Sequence, residues 1–353
     1  LIRDKDYLIY NLSSLYQSIK IKSNQIKIIN NRDSYNFDGD ISNLKSNIDL
    51  SKFSFLLNKS MRNIFKEELI ISSNNKFTFK LNKKIKFSDI NIQSKISLEE
   101  LQYSNDLFKR FFPGYKKNVK FENNSIIIDY NNGDYQINGK SKININGDID
   151  DANYSLKKIK NDFFYNFNLE LINSAVNFKI LNYTKNKDDK SSLELKGKYS
   201  TSKKIDLEKI RFIHDKNLID IDNIKINSNK KIKSIDNIKV SVFNNNDKLS
   251  KLNIKKDKKN YLIKSKIFDG TKLVDEILFS KEESNFLNFF DNLNSTLLIK
   301  IDTAYLSKED YLTSLNTKIN IINNQIFDLN LSSKFSNNEE LKVSIKTNQN
   351  KEK

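Results

Sequence analysis

The chain has 353 residues, of which 37% are hydrophobic, and it carries a formal net charge of +17. The absence of cysteine excludes disulfides, thiolate metal sites and cysteine nucleophiles. The positive charge comes almost entirely from lysine, and only five residues are arginine. We therefore expect solvated sheet faces, with an anionic lipid or membrane surface as the alternative, rather than a nucleic-acid partner.

Alternation of apolar and polar residues predicts strands in the first part of the chain. A period of two places the apolar side chains on one face of a sheet and the polar ones on the other. The alternating apolar residues are Ile19, Ile21, Ile26, Ile28, Phe77, Phe79, Leu81, Ile85, Phe87, Ile90 and Ile92. Asp38-Gly39 is a pair typical of tight turns, so it predicts a hairpin.

A change of period near residue 97 predicts a short helix. Ser97 and Glu100 form a Ser-x-x-Glu capping box, in which each side chain accepts a hydrogen bond from the other's backbone N–H. Apolar residues follow with mostly helical spacing, and Pro113-Gly114 ends the element. We predict a helix at about 98–112, which closes a β-rich section at 1–115.

Three Asn-Gly pairs punctuate the next stretch and predict a meander of short antiparallel strands. Asn-Gly tolerates the positive φ angles that two-residue hairpin turns require. The pairs are Asn132-Gly133, Asn138-Gly139 and Asn146-Gly147.

The stretch from 160 to 183 shows the clearest alternation in the chain. Polar residues such as Asn166, Asn168 and Glu170 lie between the apolar ones. An antiparallel sheet with one apolar and one solvated face has this pattern. The apolar residues, which we regard as candidates for lining an apolar groove, are Phe163, Tyr165, Phe167, Leu169, Leu171, Val176, Phe178 and Ile180.

The remainder of the chain alternates in the same way, apart from one helical insertion. A strand from Tyr261 runs into Phe268-Asp269-Gly270, where Asp269 is placed to cap a helix. We predict this insertion at about 271–293, within a second section at 116–353. The closing strands add six further groove candidates: Leu297, Ile299, Ile301, Phe327, Leu329 and Leu331.

No catalytic or metal-binding set is evident in the sequence, so we expect no enzymatic activity and no cofactor. Gly-rich phosphate loops, His-Glu-x-x-His and nucleophile elbows are absent. The single histidine, His214, is interpreted as a solvated or turn residue. Asp148, Asp150 and Asp151 fail the calcium-loop pattern and are interpreted as part of a polar hairpin.

Several motifs, in order, resemble the AsmA-like family related to YhdP and TamB. The segment YLIKSKIFDGTKLVDEIL (261–278) is similar to that family's strand, Phe-Asp-Gly and short apolar helix. Upstream, FFPGYKKN (111–118), DYNNGDYQINGKSKININGD (129–148) and VNFKILNY (176–183) are similar to the same group. The resemblance covers about 95–350, with Phe112-Pro113 where the family has Trp-Pro.

The resemblance implies a mostly β fold: an elongated, curled antiparallel sheet that forms an open apolar groove, with a few short helices. It further implies a periplasmic protein, anchored in the inner membrane of a Gram-negative bacterium by a segment outside this chain. Such a protein carries phospholipid toward the outer membrane. No run in this chain approaches the roughly 18 apolar residues of a membrane span. The alternative is a structural or adhesive β-sandwich or β-solenoid whose apolar face is closed as a core.

Overall fold

The computed structural model describes residues 6–16, 19–49, 69–104, 106–116, 118–200, 204–272, 286–307 and 309–347. These residues are mainly in strands, and the few helical segments are short, so the predicted mostly β fold class is confirmed. The strands are β1 (Tyr7–Tyr16), β2 (Ile19–Asn31), β3 (Ser34–Ile48), β4 (Leu69–Asn82), β5 (Phe87–Ser104), β6 (Asn118–Asn131), β7 (Asp134–Ile145), β8 (Asp148–Ile159), β9 (Asp162–Leu171), β10 (Val176–Phe178), β11 (Tyr183–Lys185), β12 (Ser191–Ser200), β13 (Ile205–His214), β14 (Asn217–Ile226), β15 (Ile232–Phe243), β16 (Leu249–Asp257), β17 (Asn260–Asp269), β18 (Ser295–Tyr305), β19 (Tyr311–Ile322), β20 (Gln325–Phe335) and β21 (Glu340–Lys346). Short 3-10 helices occupy Asp106–Arg110, Lys179–Leu181 and Phe286–Phe289.

Strands that follow one another in the chain are mostly neighbours in the sheet. Among the described residues, nineteen strands belong to one hydrogen-bonded sheet, and β10 and β11 form a separate pair. The neighbours pair antiparallel through short polar turns, as in β13–β14 and β15–β16. The pair β17–β18 is parallel, so β18 begins at the same end of the sheet as β17.

Backbone contacts divide the chain into two compact units. Unit 1 comprises Leu1–Lys109 and Gly114–Leu169, and unit 2 comprises Arg110–Pro113 and Glu170–Lys353. The division falls within β9, near its end, whereas the section boundary predicted at 115 lies inside unit 1.

The helix predicted at about 98–112 is wrong. Strand β5 continues to Ser104, and only Asp106–Arg110 form a short 3-10 helix. The ladder to β6 extends over this whole part of β5, so the sheet hydrogen bonds prevail over the local capping signal. Glu100 pairs with Lys120 instead of capping, at 3.0 Å.

Two of the four predicted glycine turns are confirmed, and two are wrong. Asn132-Gly133 and Asn146-Gly147 are turns with positive φ at both residues. Asn138-Gly139 and Asp38-Gly39 instead lie inside β7 and β3. Glycine leaves room there for close neighbours: the Tyr154 ring occupies the space that a Cβ on Gly139 would fill, at 2.1 Å.

Gly39→Ala is expected to lower the free energy of unfolding by about 1–3 kcal/mol, the usual effect of overpacking. The new Cβ would lie 2.9 Å from the backbone oxygen of Gln25 and 3.1 Å from the Phe77 ring, so the strands must move apart. Urea unfolding measures the change, and Asp38→Ala, at the exposed neighbouring position, is the control. Equal midpoints for the two variants would contradict the prediction.

The predicted helical insertion is described only at its two ends. Thr271 and Lys272 are helical, and Phe286–Phe289 form a 3-10 helix, while 273–285 lie outside the described residues. The predicted cap is confirmed, because the Asp269 carboxylate accepts a hydrogen bond of 3.0 Å from the Thr271 N–H. Within the described ranges, no helix is both long enough and apolar enough to span a membrane.

Candidate functional site

One row of apolar side chains crosses ten strands of unit 2 in register. Residues directly opposite each other on neighbouring strands share a face of the sheet. We call this set the central row: Leu195, Ile210, Ile221, Ile238, Ile254, Ile263, Ile299, Thr317, Leu331 and Val343. Its nine apolar members are all partly exposed, so the row is neither a sealed core nor an ordinary solvated surface.

A second apolar row lies beside the central row, nearer one end of the strands. It consists of Tyr261, Leu297, Ile319, Leu329 and Ile345. Together the two rows contain four of the predicted groove residues, Leu297, Ile299, Leu329 and Leu331, which therefore share one face. Ile301 lies on the same strand but is buried with Phe268, and Phe327 is 37% exposed beside a β-bulge.

The residues between the apolar ones form a polar row on the other face of the same strands. The row runs through Glu194, Arg211, Asp220, Lys239, Asn253, Lys264, Lys300, Asn316 and Ser332. Ion pairs support it: Lys209 lies 3.0 Å from Asp220 and 2.5 Å from Asp222. The hydrogen bond from Lys209 lowers the pKa of Asp222 below its usual range. The predicted division into one apolar and one solvated face therefore holds in unit 2.

Unit 1 carries a corresponding apolar row. It runs through Ile9, Ile26, Gly39, Phe77, Ile92, Tyr130 and Tyr135. The Tyr135 ring lies 6.4 Å from that of Phe163, which places the start of β9 beside this row. Burial increases along β9: Phe163, Tyr165 and Phe167 are partly exposed, whereas Leu169 and Leu171 are buried.

Val176, Phe178 and Ile180 do not continue the sheet, contrary to the prediction. Val176 and Phe178 lie in β10, which pairs only with β11 among the described strands, and Ile180 is 43% exposed in a 3-10 helix. The left-handed conformation of Asn182 turns the chain back at this point. We call 172–190 the hairpin insertion.

The hairpin insertion packs onto the apolar face of unit 2 through aromatic rings. The Phe178 ring lies 5.1 Å from Phe212 and 5.8 Å from Phe111, and Tyr183 lies 6.2 Å from Phe212. Phe212 is opposite Ile219 and therefore on the same face as the central row. This end of the apolar face is thus covered by the chain's own residues, while the central row stays partly exposed.

Polar contacts hold the hairpin insertion in place. The Tyr183 hydroxyl and His214 Nδ1 are 2.5 Å apart, so His214 is not solvated. It does flank the turn after β13, which was the other part of our interpretation. Burial raises the pKa of Tyr183, and Asp215 and Asp189 raise it further. The fully buried Lys185 donates hydrogen bonds to the carbonyls of Ile172 and Ser174, at 2.8 and 2.9 Å.

Phe268, Asp269 and Gly270 form a buried junction at the end of β17. Phe268 packs with Ile301, Ala304 and Leu312. The Asp269 carboxylate is 2% exposed and accepts hydrogen bonds from the Asn244 side chain and from Thr271. Sequence reasoning predicted the cap but missed Asn244, because the two residues are 25 positions apart in the chain.

Comparison of the chain with protein-family models, with curated proteins and with solved structures found no match. Within the described residues, no group of histidine, cysteine, aspartate and glutamate side chains could hold a metal ion. The feature that carries a functional argument is therefore the apolar face itself.

Proposed function

We propose that the apolar faces of the two units bind the acyl chains of phospholipids and that the chain transports lipid without catalysis. The proposal rests on one observation: the nine apolar side chains of the central row are in register and partly exposed. A closed hydrophobic core would bury these side chains, because about 25 cal/mol is gained for each Å² of apolar surface removed from water.

An apolar face of this kind removes the main barrier to moving a lipid through water. Exposing a tail costs about 0.8 kcal/mol per CH₂, or roughly 13 kcal/mol for a chain of about 16 carbons. Neighbouring strands lie about 4.8 Å apart, so ten strands offer roughly 40 Å of apolar track along the sheet. Transport needs no specific contact along such a track, which agrees with the lack of a sharp motif.

The resemblance to AsmA-like proteins supports the same function and suggests its setting. We propose a periplasmic location, with phospholipid moving between the inner and outer membranes. Attachment to the two membranes would then depend on segments outside this chain.

Ile263→Asp is expected to weaken lipid binding at least about tenfold, the effect of roughly 1.4 kcal/mol. Ile263 lies between Ile254 and Ile299 in the central row, so a charge there would face the lipid tail. Binding of a lipid with a fluorescent tail, its transfer between vesicles and native mass spectrometry of the purified protein measure the effect.

Leu262→Asp is the matched control, because Leu262 is the neighbouring residue on the other face and is also partly exposed. A new aspartate there would lie opposite Lys255 and keep the lipid-binding face unchanged. Full lipid binding by Ile263→Asp would refute the proposal. Unfolding of Ile263→Asp alone would favour the closed-core alternative instead.

A further inference from the structure

We propose that the lipid bound by unit 2 is an anionic phospholipid, whose phosphate contacts lysines at one edge of the sheet while its tails lie on the apolar face. This inference rests on the proposed function and adds the headgroup class and its position. It follows from the distribution of charge between the two ends of the strands.

Alternate turns of an antiparallel sheet lie at the same edge. The turns after β12, β14 and β16 lie at the same end of the strands, and we call this row of turns the basic edge. Its described turn residues include five exposed lysines: Lys204, Lys230, Lys231, Lys258 and Lys259. The neighbouring loop before β18 contributes Asp291, whose carboxylate is hydrogen-bonded by the Asn227 side chain.

The opposite edge carries both charges, with more acidic residues than lysines among those described. The turns after β13, β15, β18 and β20 lie there. Five acidic residues and two lysines are described in those turns: Asp215, Asp247, Glu309, Asp310, Glu339, Lys216 and Lys248. The residues that lead into β12 and those that follow β17 lie at the same edge and add two aspartates and three lysines: Asp188, Asp189, Lys187, Lys190 and Lys272. Lys248 lies over the Tyr305 ring at 3.6 Å. A lipid phosphate is therefore attracted more strongly to the basic edge, where five lysines outnumber one described aspartate.

Hydrogen bonds fix the backbone of the turn that carries Lys230 and Lys231. The Asn227 side chain accepts hydrogen bonds of 3.0 Å from the backbone N–H groups of Asn229 and Lys231, which fixes that turn. Lys230 and Lys258 adopt left-handed conformations, with φ values of 61° and 54°. Asn and Gly fill such positions with less strain, so lysine is an unusual residue there.

The basic edge lies next to the apolar face. Tyr261, the buried member of the second apolar row nearest to this edge, is two residues from Lys259 in the preceding turn, a distance of roughly 7 Å. Tails lying on the two apolar rows would thus bring the phosphate of the same molecule to these lysines.

Binding of matched monomeric lipids to the delipidated full chain tests the assignment. Short-chain phosphatidylglycerol is expected to bind roughly tenfold tighter than phosphatidylcholine with the same acyl chains, because phosphatidylglycerol has a net negative charge whereas the choline ammonium offsets the phosphate charge of phosphatidylcholine. The preference should shrink as salt is added, because the lysines are exposed.

Lys230→Glu/Lys231→Glu is expected to abolish the preference for phosphatidylglycerol and leave phosphatidylcholine binding unchanged. The control, Lys190→Glu/Lys216→Glu, makes the same change in net charge at the opposite edge, with both lysines exposed. It should retain the preference. If the control lost the same amount of preference, the preference would depend only on the net charge of the protein, and the assignment would be overturned.

The remaining outcomes separate the two proposals. Equal affinity of the unmodified chain for both lipids overturns the headgroup assignment alone, whereas no binding of either lipid overturns the proposed function and this inference with it. If glycerol phosphate bound as tightly as phosphatidylglycerol, the basic edge would be a site for free phosphate and not for a lipid headgroup. Adsorption to phosphatidylglycerol vesicles without uptake of lipid would assign it to a membrane surface. Each of the last two results overturns the inference.

Discussion

Asp269→Ala is expected to lower the free energy of unfolding by about 3–5 kcal/mol, because it removes the acceptor at the centre of a buried network. The carboxylate of Asp269 is 2% exposed and accepts hydrogen bonds from the Asn244 amide and from the Thr271 N–H and hydroxyl. Without it, the buried Asn244 amide loses its acceptor, and the half-buried Thr271 loses the acceptor of its N–H and hydroxyl. Urea unfolding followed by circular dichroism measures the change.

Two further variants sharpen this test. Asp269→Asn should give an intermediate loss of unfolding free energy. Its amide oxygen can still accept a hydrogen bond from Thr271, while its NH₂ group would face the NH₂ group of Asn244, another donor. Asp302→Ala, at an exposed aspartate of the adjacent strand, should change stability by less than about 0.5 kcal/mol. An Asp269→Ala loss as small as that of Asp302→Ala would show that the junction does not stabilise unit 2.

The junction also shows which part of a long-range contact a sequence can reveal. Asp269 before Thr271 is a local capping signal, and it was correctly recognised. The amide of Asn244 reaches the same carboxylate only because β16 and β17 are adjacent. No local pattern distinguishes that asparagine from its neighbours Asn245 and Asn246.

Alternation of residues predicted the strands well, because the period of two follows directly from strand geometry. The two faces of β18, for example, separate as predicted, with Ile299 in the central row and Lys300 in the polar row. The same pattern misled at Val176 and Phe178, since a three-residue hairpin strand alternates as a sheet strand does.

Bulges limit how far the period can be followed. Ser314 has a left-handed conformation inside β19, and the register to β20 shifts there by one residue. Leu312 and Leu315, on either side of it, are therefore three residues apart although both pack with the same cluster. A three-residue step reads as helical in a sequence, so strands with such bulges are easily misassigned.

The central row in β13–β17 was present in the sequence as alternation but was not recognised as the candidate site. Ile210, Ile221 and Ile254 each look like an ordinary strand residue, and only the register shows that they are neighbours. Burial then decides between a core and an open face, and burial depends on what lies above the sheet. Sequence alone contains neither the strand register nor the burial.

Phe212→Ala is expected to lower the free energy of unfolding by about 3–5 kcal/mol, the usual effect of removing a buried aromatic ring. Phe212 is 2% exposed and forms the contact between the sheet and the rings of Phe178 and Tyr183. Its loss should also release the hairpin insertion, so amide exchange there should accelerate more than in β16. Hydrogen exchange with urea unfolding measures both effects.

Ile213→Ala is the control for this change, because Ile213 is the next residue along β13 and is only partly buried. This change should lower the free energy of unfolding by about 1–2 kcal/mol, without faster amide exchange in the hairpin insertion.

Lipid binding separates the roles of the two parts of the apolar face. If the central row binds the tails, Phe212→Ala should keep that binding at temperatures where the protein stays folded, since Phe212 lies beside the row rather than in it. Loss of lipid binding in folded Phe212→Ala would instead mean that tails bind where the aromatic rings now pack, and the hairpin insertion would have to move for lipid to enter.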